Sequence, residues 1–140
     1  MTETTLIIFK PDSLRRGLVG TILKRFEDKG LTIVHLRLTN LPMNIIEDHY
    51  KEHYGTEYYE KLVSFLYSGD VIIGVFRGEN AIQEVRKMVG SASMEKRLPG
   101  TIRGDFSLST NENLIHSSDS KESFDREFKI FSKYFFNNYD

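Results

Sequence analysis

Three short polar segments carry the residue types that could bind an anion or supply a nucleophile. They are Lys10-Pro11-Asp12, Pro99-Gly-Thr-Ile-Arg-Gly-Asp105 and Asn113-Leu-Ile-His-Ser-Ser-Asp-Ser120. The third segment contains His116, and imidazole in its neutral form is nucleophilic near pH 7. Taken alone, a histidine in such a segment is more often a strand-end residue satisfied by hydrogen bonds. A few converging cations can nevertheless serve one phosphate group, so the sequence directs attention to a local anion pocket.

Common phosphate-binding loops are absent from the sequence. It contains no Walker A motif, no glycine fingerprint of the dinucleotide type and no set of protein-kinase motifs. Any bound phosphate must therefore be held by side chains.

One metal signature does match. His49-Tyr50-Lys51-Glu52-His53 fits the inverted zincin pattern H-x-x-E-H. On a helix the two histidines would share a face, as zinc ligands do. Three fixed positions in five residues are a weak match, however, no compelling third ligand is apparent, and the chain is small for a protease of that class. We therefore expect no zinc, with His49 a partly buried helix residue and His53 a polar residue near a ligand.

The composition narrows the class of protein. Lys and Arg (19) nearly balance Asp and Glu (20), and this balance argues against bulk binding to nucleic acid, which uses large basic surfaces. The absence of cysteine excludes disulfides, thiolate zinc sites and cysteine nucleophiles, and it is compatible with a reducing cytoplasm. No apolar run is long enough for a signal-peptide core or a membrane helix. We expect a single cytoplasmic domain over residues 1–140.

Hydrophobic patterns predict an α/β (α+β) fold with the element order β-α-β-(αα)-β-α-β-α. Two βαβ halves of this kind indicate a ferredoxin-like βαββαβ fold, with helices packed on a four-stranded antiparallel sheet. In the second strand, Thr32, Val34, Leu36 and Leu38 alternate onto one side. The predicted strands are Thr5–Phe9, Leu31–Leu38, Asp70–Phe76 and Leu114–His116; the predicted helices cover Leu18–Phe26 (ended by Gly30), Ile45–His53, Tyr58–Tyr67, Ile82–Val89 and a closing segment with Phe124, Phe128 and Phe131.

The segment from Ser91 to Asn113 has no clear period, although loops longer than ~12–15 residues are uncommon unless they are functional or disordered. We expect a functional loop because it leads directly into His116; a mobile excursion is the alternative. Beyond it, Asp119 with Glu122 resembles a capping box. Glu127 lies beside the apolar stripe of the closing helix, so we expect it to be partly buried and paired rather than a solvated edge residue.

The three polar segments, together with His49-Tyr50 and Arg86 between them, resemble the nucleoside diphosphate kinase family. The motifs follow in matching order over nearly the whole chain. This resemblance implies ping-pong transfer of the γ-phosphoryl group from a nucleoside triphosphate, usually ATP, to a nucleoside diphosphate. Phosphoryl transfer depends mainly on positioning and on neutralising charge, which suits a cluster of cations around one nucleophile.

The resemblance also implies a role for each matching residue. His116 would carry the phosphoryl group and Glu127 would orient its imidazole. Asp119 would contact the Mg²⁺ of the nucleotide through a water molecule, since Mg²⁺ keeps much of its hydration. The remaining residues would contact the nucleotide: Lys10, Arg86 and Arg103 at the phosphates, Lys10 also at the ribose, Tyr50 at the transferring group, His53 at the inner phosphate, Asn113 at the ribose, and Tyr58 with Leu62 at the base. Singly, each would more often be a surface charge, a loop residue or a core aromatic.

Three positions depart from the family pattern. Ala92 stands where many members have a phosphate-contacting threonine, Thr56 where relatives often have arginine, and Ser117 where glycine is common. The chain also ends earlier than many members, in a region that often joins subunits. The resemblance alone implies a homo-oligomer, a tetramer or a hexamer. The alternatives are a nucleotide-binding regulatory or scaffold protein without turnover, an RNA-recognition module and, more distantly, a zinc peptidase.

Overall fold

A computed structural model describes residues 1–136 of the chain. Its four strands are β1 (Thr2–Phe9), β2 (Thr32–Thr39), β3 (Val71–Glu79) and β4 (Ile115–Ser117). They form one sheet in the order β2-β3-β1-β4, and every neighbouring pair is antiparallel. The predicted ferredoxin-like fold is therefore confirmed.

Within residues 1–136, eight helices connect and cover these strands. None of those in residues 1–136 is long and apolar enough to cross a bilayer. Two 3₁₀ turns, Lys51–His53 and Met94–Lys96, complete the regular structure. The helices are α1 (Pro11–Arg15), α2 (Val19–Lys29), α3 (Met43–His49), α4 (Tyr59–Tyr67), α5 (Ala81–Val89), α6 (Ile102–Phe106), α7 (Lys121–Phe131) and α8 (Lys133–Phe136).

Strand β1 is the centre of the core because both of its faces are buried. Leu6 and Ile8 pack into the cluster formed with α3, α4 and α7. Ile7 and Phe9 point the other way, into the cluster formed with α2, α5 and α6. Successive side chains of a strand alternate between the faces of its sheet, so a continuous apolar run such as this one needs a layer of helices on each side.

Strand β2 differs from the predicted alternation. A bulge lies between Ile33 and His35 in its pairing with β3, and this extra residue interrupts the period of two. Leu36 and Leu38 are consequently 42% and 59% exposed instead of facing the core. As the edge strand of the sheet, β2 presents these two leucines at the surface of the chain.

Three local predictions also need correction. The helix predicted over Ile45–His53 ends at His49 as α3, and Lys51–His53 is a separate 3₁₀ turn. The aperiodic segment before His116 is partly helical, since Thr101 caps α6 by accepting a hydrogen bond from the Gly104 N–H. Helix α7 is capped by Ser120, whose hydroxyl accepts from the Ser123 N–H, and not by Asp119.

Candidate active site

His116 lies in the middle of β4, opposite Ile8 of the central strand. Its imidazole Nε2 is 2.8 Å from Oε2 of Glu127, on the buried side of α7. Ser118 donates its hydroxyl to the other carboxylate oxygen at 2.6 Å. Both oxygens of Glu127 are therefore occupied, and the histidine ring is fixed from one side. Glu127 is paired, as predicted, and it is more deeply buried than the partial burial that we expected.

Charge fixes the tautomer of this histidine. Burial opposes ionisation of Glu127, but the hydrogen bonds from His116 and Ser118, with the nearby Arg126, outweigh it and lower the pKa of the carboxyl group. An ionised carboxylate only accepts hydrogen bonds, so Nε2 of His116 carries the proton. The lone pair is left on Nδ1, the opposite ring nitrogen. The side chain of His116 remains 22% exposed, whereas that of Glu127 is 3% exposed.

A cavity of about 380 Å³ opens beside this histidine. Two of the predicted phosphate-binding cations, Arg86 and Arg103, line it together with His116. Ala92 and Asp119, from different parts of the sequence, line it as well. The fold thus gathers in one cavity the predicted nucleophile, two cations and the predicted metal-site carboxylate.

Arg103 is held in place by backbone carbonyls. Its guanidinium donates to the carbonyl oxygens of Asn113 (3.2 Å), Gly90 (3.1 Å) and Ile115 (2.6 Å). Burial, together with the charges of Arg97 and Arg86, lowers the pKa of Arg103 to about 10, so it stays protonated at neutral pH. These three carbonyls belong to segments on either side of the cavity, so the cation is in position before any anion arrives.

Lys10 lies behind this cavity, at the end of β1. It is only 5% exposed, and its Nζ donates to Oδ1 of Asn113 at 2.9 Å. Burial and the charge of Arg103 lower the pKa of Lys10 to about 7, against a smaller opposing effect of Asp12. The predicted ribose and phosphate contacts, Lys10 and Asn113, are thus brought together. Lys10 is poised between its charged and neutral forms near pH 7.

The link between Lys10 and β4 passes through Leu114, which has a positive φ of 76°. Its N–H donates to Oδ2 of Asp12 at 3.0 Å, and its carbonyl accepts from the Lys10 N–H at 2.9 Å. A bulky residue in the left-handed region is strained. Both backbone groups of Leu114 are held by the Lys10-Pro11-Asp12 segment, and this turn separates Asn113 from His116.

The other predicted contacts, Tyr50, His53, Tyr58 and Leu62, lie between the end of α3 and the middle of α4, and they are not among the residues that line this cavity. Tyr50 is buried near Arg103 and Glu127, and burial raises the pKa of its hydroxyl. His53 and Tyr58 are neighbours, with 3.4 Å between Nδ1 and the phenol oxygen. Tyr58 is 46% exposed, and Leu62 packs against the core one turn further along. A tyrosine exposed in this way is available for stacking.

Asp119 makes an ion pair with Arg86 at the mouth of the cavity. The side chain of Arg86 is 46% exposed and that of Asp119 is 69% exposed. Exposed ion pairs contribute little to stability. This pair can therefore open at small cost when a ligand with its own charges enters.

The zincin pattern does not form a zinc-protease site. His49 ends α3, so His53 is not one helical turn further on the same helix. The His49 ring is buried and packs edge-on against His116, with 4.7 Å between ring centroids, whereas His53 faces Tyr58. The two histidines of the motif therefore belong to different surroundings.

Arg97 belongs to the long segment predicted to be functional, but the sequence assigned it no role of its own. Its guanidinium donates to the carbonyls of Ser91 and Ala92 at one end of the long loop, each at 3.0 Å. At the other end it reaches the Ser109 carbonyl at 2.8 Å and the Ser107 hydroxyl at 3.2 Å. Most of these partners are backbone atoms, which leave no pattern in the sequence. Arg97 ties the cavity-lining residues of this loop to its far end.

Comparisons with known proteins agree with this geometry. The profile of the family described as "Nucleoside diphosphate kinase" matches residues 3–137. A protein of Methanocaldococcus jannaschii named "Nucleoside diphosphate kinase" is 50% identical over 133 residues, covering 95% of each chain. The structure of a halophilic nucleoside diphosphate kinase from Halobacterium salinarum in complex with CDP superposes with a TM-score of 0.91 at 35% identity, covering all of this chain and 94% of the other. The structure of the Aquifex aeolicus nucleoside diphosphate kinase superposes with a TM-score of 0.88 at 36% identity, covering 94% of this chain and 95% of the other.

Proposed function

Because this chain belongs to the nucleoside diphosphate kinase family, we propose that His116 is the residue that carries the phosphoryl group in its reaction. The observation that supports this role most strongly is the bond between Nε2 and the buried Glu127 carboxylate. It leaves Nδ1 with a lone pair in a ring that lines the cavity. Neither the protein nor the substrate then has to move a proton before attack.

The reaction proceeds in two half-reactions. Nδ1 attacks the γ-phosphorus of a nucleoside triphosphate such as ATP, the bond from that phosphorus to the bridging oxygen breaks, and the diphosphate leaves. The phosphorylated ring is a cation whose Nε2–H faces Glu127. A terminal oxygen of a second nucleoside diphosphate then attacks the same phosphorus, and the N–P bond breaks. Glu127 stabilises the positive ring in both halves, as the buried aspartate of a catalytic triad does.

The cations around the cavity would neutralise the phosphates. Arg86 and Arg103 line it with His116, and a guanidinium can bind two phosphate oxygens at once. Lys10 reaches the same region from β1, beside Asn113, where we propose that it contacts a phosphate and the ribose. An arriving phosphate favours the charged form of Lys10, whose pKa in the free protein is about 7.

The remaining contacts follow the length of a nucleotide. We propose that the protonated Tyr50 hydroxyl donates to the transferring group and that His53 approaches the inner phosphate. Tyr58 would stack on the base beside Leu62, and stacking is insensitive to base identity. Ala92 lines the phosphate end without a hydroxyl of its own. The Halobacterium salinarum relative was solved in complex with CDP, which supports a nucleotide in this cavity.

The residues present also suit the Mg²⁺ that accompanies the nucleotide. Asp119 is the carboxylate among the residues that line the cavity, and its side chain is exposed. One carboxylate fits an ion held mostly by phosphate oxygens and water. When bound, the ion would supply further charge neutralisation. We propose that Asp119 leaves Arg86 and orients a water ligand of this Mg²⁺.

We also propose a homo-oligomer, tetramer or hexamer, of single-domain chains (residues 1–140) in the cytoplasm. Leu36 and Leu38 on the edge strand β2 support self-association, since exposed apolar edge strands pair readily with a second chain. Sedimentation of the purified protein tests this directly. A monomer at micromolar concentration would contradict it.

Replacement of His116 by alanine tests the proposed role. We expect nucleotide exchange to fall by at least about 10³-fold, because no other group supplies the attacking nitrogen. Incubation of the wild type with radiolabelled ATP should give an acid-labile, base-stable phosphoenzyme, which H116A lacks. An active H116A variant would overturn the assignment. Nucleotide binding by the wild type without any phosphoenzyme would instead indicate a protein that has lost turnover.

A further inference from the structure

Within the part of the chain that the structure describes, the buried His49 has no hydrogen-bond partner at either ring nitrogen. It is 4% exposed, and its ring lies between those of Tyr50, His116 and Phe131, at centroid distances of 4.6, 4.7 and 5.4 Å. A neutral imidazole has one donor and one acceptor, and leaving such groups unpaired in the interior is unfavourable. Buried polar groups of this kind commonly mark the site of an unseen ligand or ion.

The neighbours of His49 identify the kind of ligand. His49, His116 and Glu127 each offer one ligand atom, and these atoms lie within 4.8 Å of one another. Two imidazoles and a carboxylate are a common zinc set, with an open fourth position. Mg²⁺ prefers oxygen ligands and is not expected here. Since the described part of the chain offers no other such group, this cluster is the candidate.

We propose that His49, His116 and Glu127 form a binding site for a borderline divalent cation, with Zn²⁺ as its physiological form, and that occupation of this site switches the enzyme off. Donor atoms around a tetrahedral zinc ion lie about 3.3 Å apart, so donors at the 4.8 Å limit have to approach by about 1.5 Å, whereas Nε2 of His116 and Oε2 of Glu127, now at 2.8 Å, have to separate by about 0.5 Å. Side-chain rotation supplies a movement of that size. Lys10 and Arg126 are close enough to oppose a cation, so binding is reversible rather than structural.

The inhibition follows from the tautomer of His116. The ion takes the place of the proton between Nε2 of His116 and Oε2 of Glu127. The displaced proton moves to Nδ1, because a neutral imidazole carries one N–H, and no proton is released overall. Nδ1 then has no lone pair with which to attack phosphorus. His49 contributes one nitrogen and keeps its proton on the other. This regulatory role rests on the proposed function of His116, whereas the binding site does not.

Metal binding can be measured without nucleotide. Equilibrium dialysis of the wild type against micromolar Zn²⁺ should give one ion per chain, and Co²⁺ should produce the absorption bands of a tetrahedral complex. His49→Phe keeps the ring packing and removes the nitrogens. We expect it to lower the affinity by at least about 100-fold, since even partners outside the ligand set are worth about 10- to 100-fold. His49→Gln serves as a second variant, and circular dichroism checks the fold of both.

His53→Gln is the matched control, because it alters the other histidine of the H-x-x-E-H segment. Its zinc affinity should equal that of the wild type. Equal binding by wild type and His49→Phe, or loss of binding in His53→Gln, would overturn the proposed ligand set. Absence of one-to-one binding by the folded wild type at micromolar zinc would do so as well.

Activity provides the second readout. In a buffer that fixes free Zn²⁺, exchange by the wild type should fall, whereas His49→Phe should retain its own zinc-free rate. Both proteins meet the same zinc–nucleotide complexes, so these cancel in the comparison. Equal inhibition of the two proteins contradicts the switch. If H116A stays active while zinc still binds to wild type through His49, the proposed function fails and the metal site stands.

Discussion

Replacing Lys10 with methionine should stabilise the free protein against unfolding and should weaken nucleotide binding. Lys10 is 5% exposed, and its pKa falls from 10.5 in the unfolded chain to about 7 in the fold. The unfolded chain therefore binds a proton that the folded protein lacks between these two values. The destabilisation caused by Lys10 therefore has its full size below about pH 7, and it disappears as the pH rises towards 10.5.

The size of the effect follows from the same two values. Each tenfold change in the protonation equilibrium corresponds to about 1.36 kcal/mol, so the buried ammonium costs folding on the order of 4–5 kcal/mol at acidic pH. Methionine removes that cost, but it leaves Oδ1 of Asn113 without its donor, a loss of about 1 kcal/mol. We expect Lys10→Met to be more stable than wild type by about 3 kcal/mol near pH 6.

Urea unfolding of both proteins at about pH 6, 8 and 9.5 measures this difference. Every other titrating group is common to the two proteins, so the difference between their unfolding free energies isolates Lys10. Lys24→Met, on the exposed face of α2, should show no comparable gain. Isothermal titration should show weaker binding of ADP to Lys10→Met. A stability difference that does not change with pH, or a variant less stable than wild type near pH 6, would refute the reasoning.

Three further substitutions test other parts of the site. Glu127→Gln should slow phosphoenzyme formation by at least about 10-fold in rapid-quench assays, because a neutral amide stabilises the positive ring less well. A rate equal to that of Glu122→Gln, on the exposed face of the same helix, would contradict this. Arg97→Met should raise KM for the nucleotide more than it lowers kcat, and it should lower the unfolding free energy by about 2 kcal/mol. Arg97→Lys should give values between those of the wild type and Arg97→Met. Steady-state and urea-unfolding parameters equal to those of the wild type would show that Arg97 does not support the site. Ala92→Thr should lower KM by about fivefold, worth about 1 kcal/mol, if a hydroxyl reaches the phosphates from this position, and an unchanged KM would show that it does not.

Much of the fold was predictable because it depends on local periodicity. The apolar run of β1 and the stripes of α2, α5 and α7 are visible in the sequence, and each is found as predicted within a few residues. The existence of strand β2 was predictable, but the order of its buried and exposed side chains was not. A bulge depends on how a strand pairs with its neighbour, and nothing in the residues from Thr32 to Thr39 encodes that pairing.

The site shows the same division. The convergence of His116, Arg86 and Arg103 on one cavity was predictable through motifs in matching order, and the burial of Glu127 through its place beside an apolar stripe. Arg97 was not, because its partners are mainly carbonyl oxygens that every residue possesses. His49 is a buried helix residue, close to the partial burial predicted, but its neighbours His116 and Phe131 could not be predicted because they are distant in the sequence. Contacts between distant segments produce no regular spacing of residues in the sequence.

The hydrogen bond from one ring nitrogen of His116 to Glu127 has a consequence for nucleotide exchange. A single reactive nitrogen in a single cavity can store one phosphoryl group, and each nucleotide must depart before the next can use it. The direction of net transfer is then set only by the relative abundance of tri- and diphosphates. If the base stacks on the exposed Tyr58 as proposed, such a catalyst would bring the ratios of all its nucleotides towards a common value.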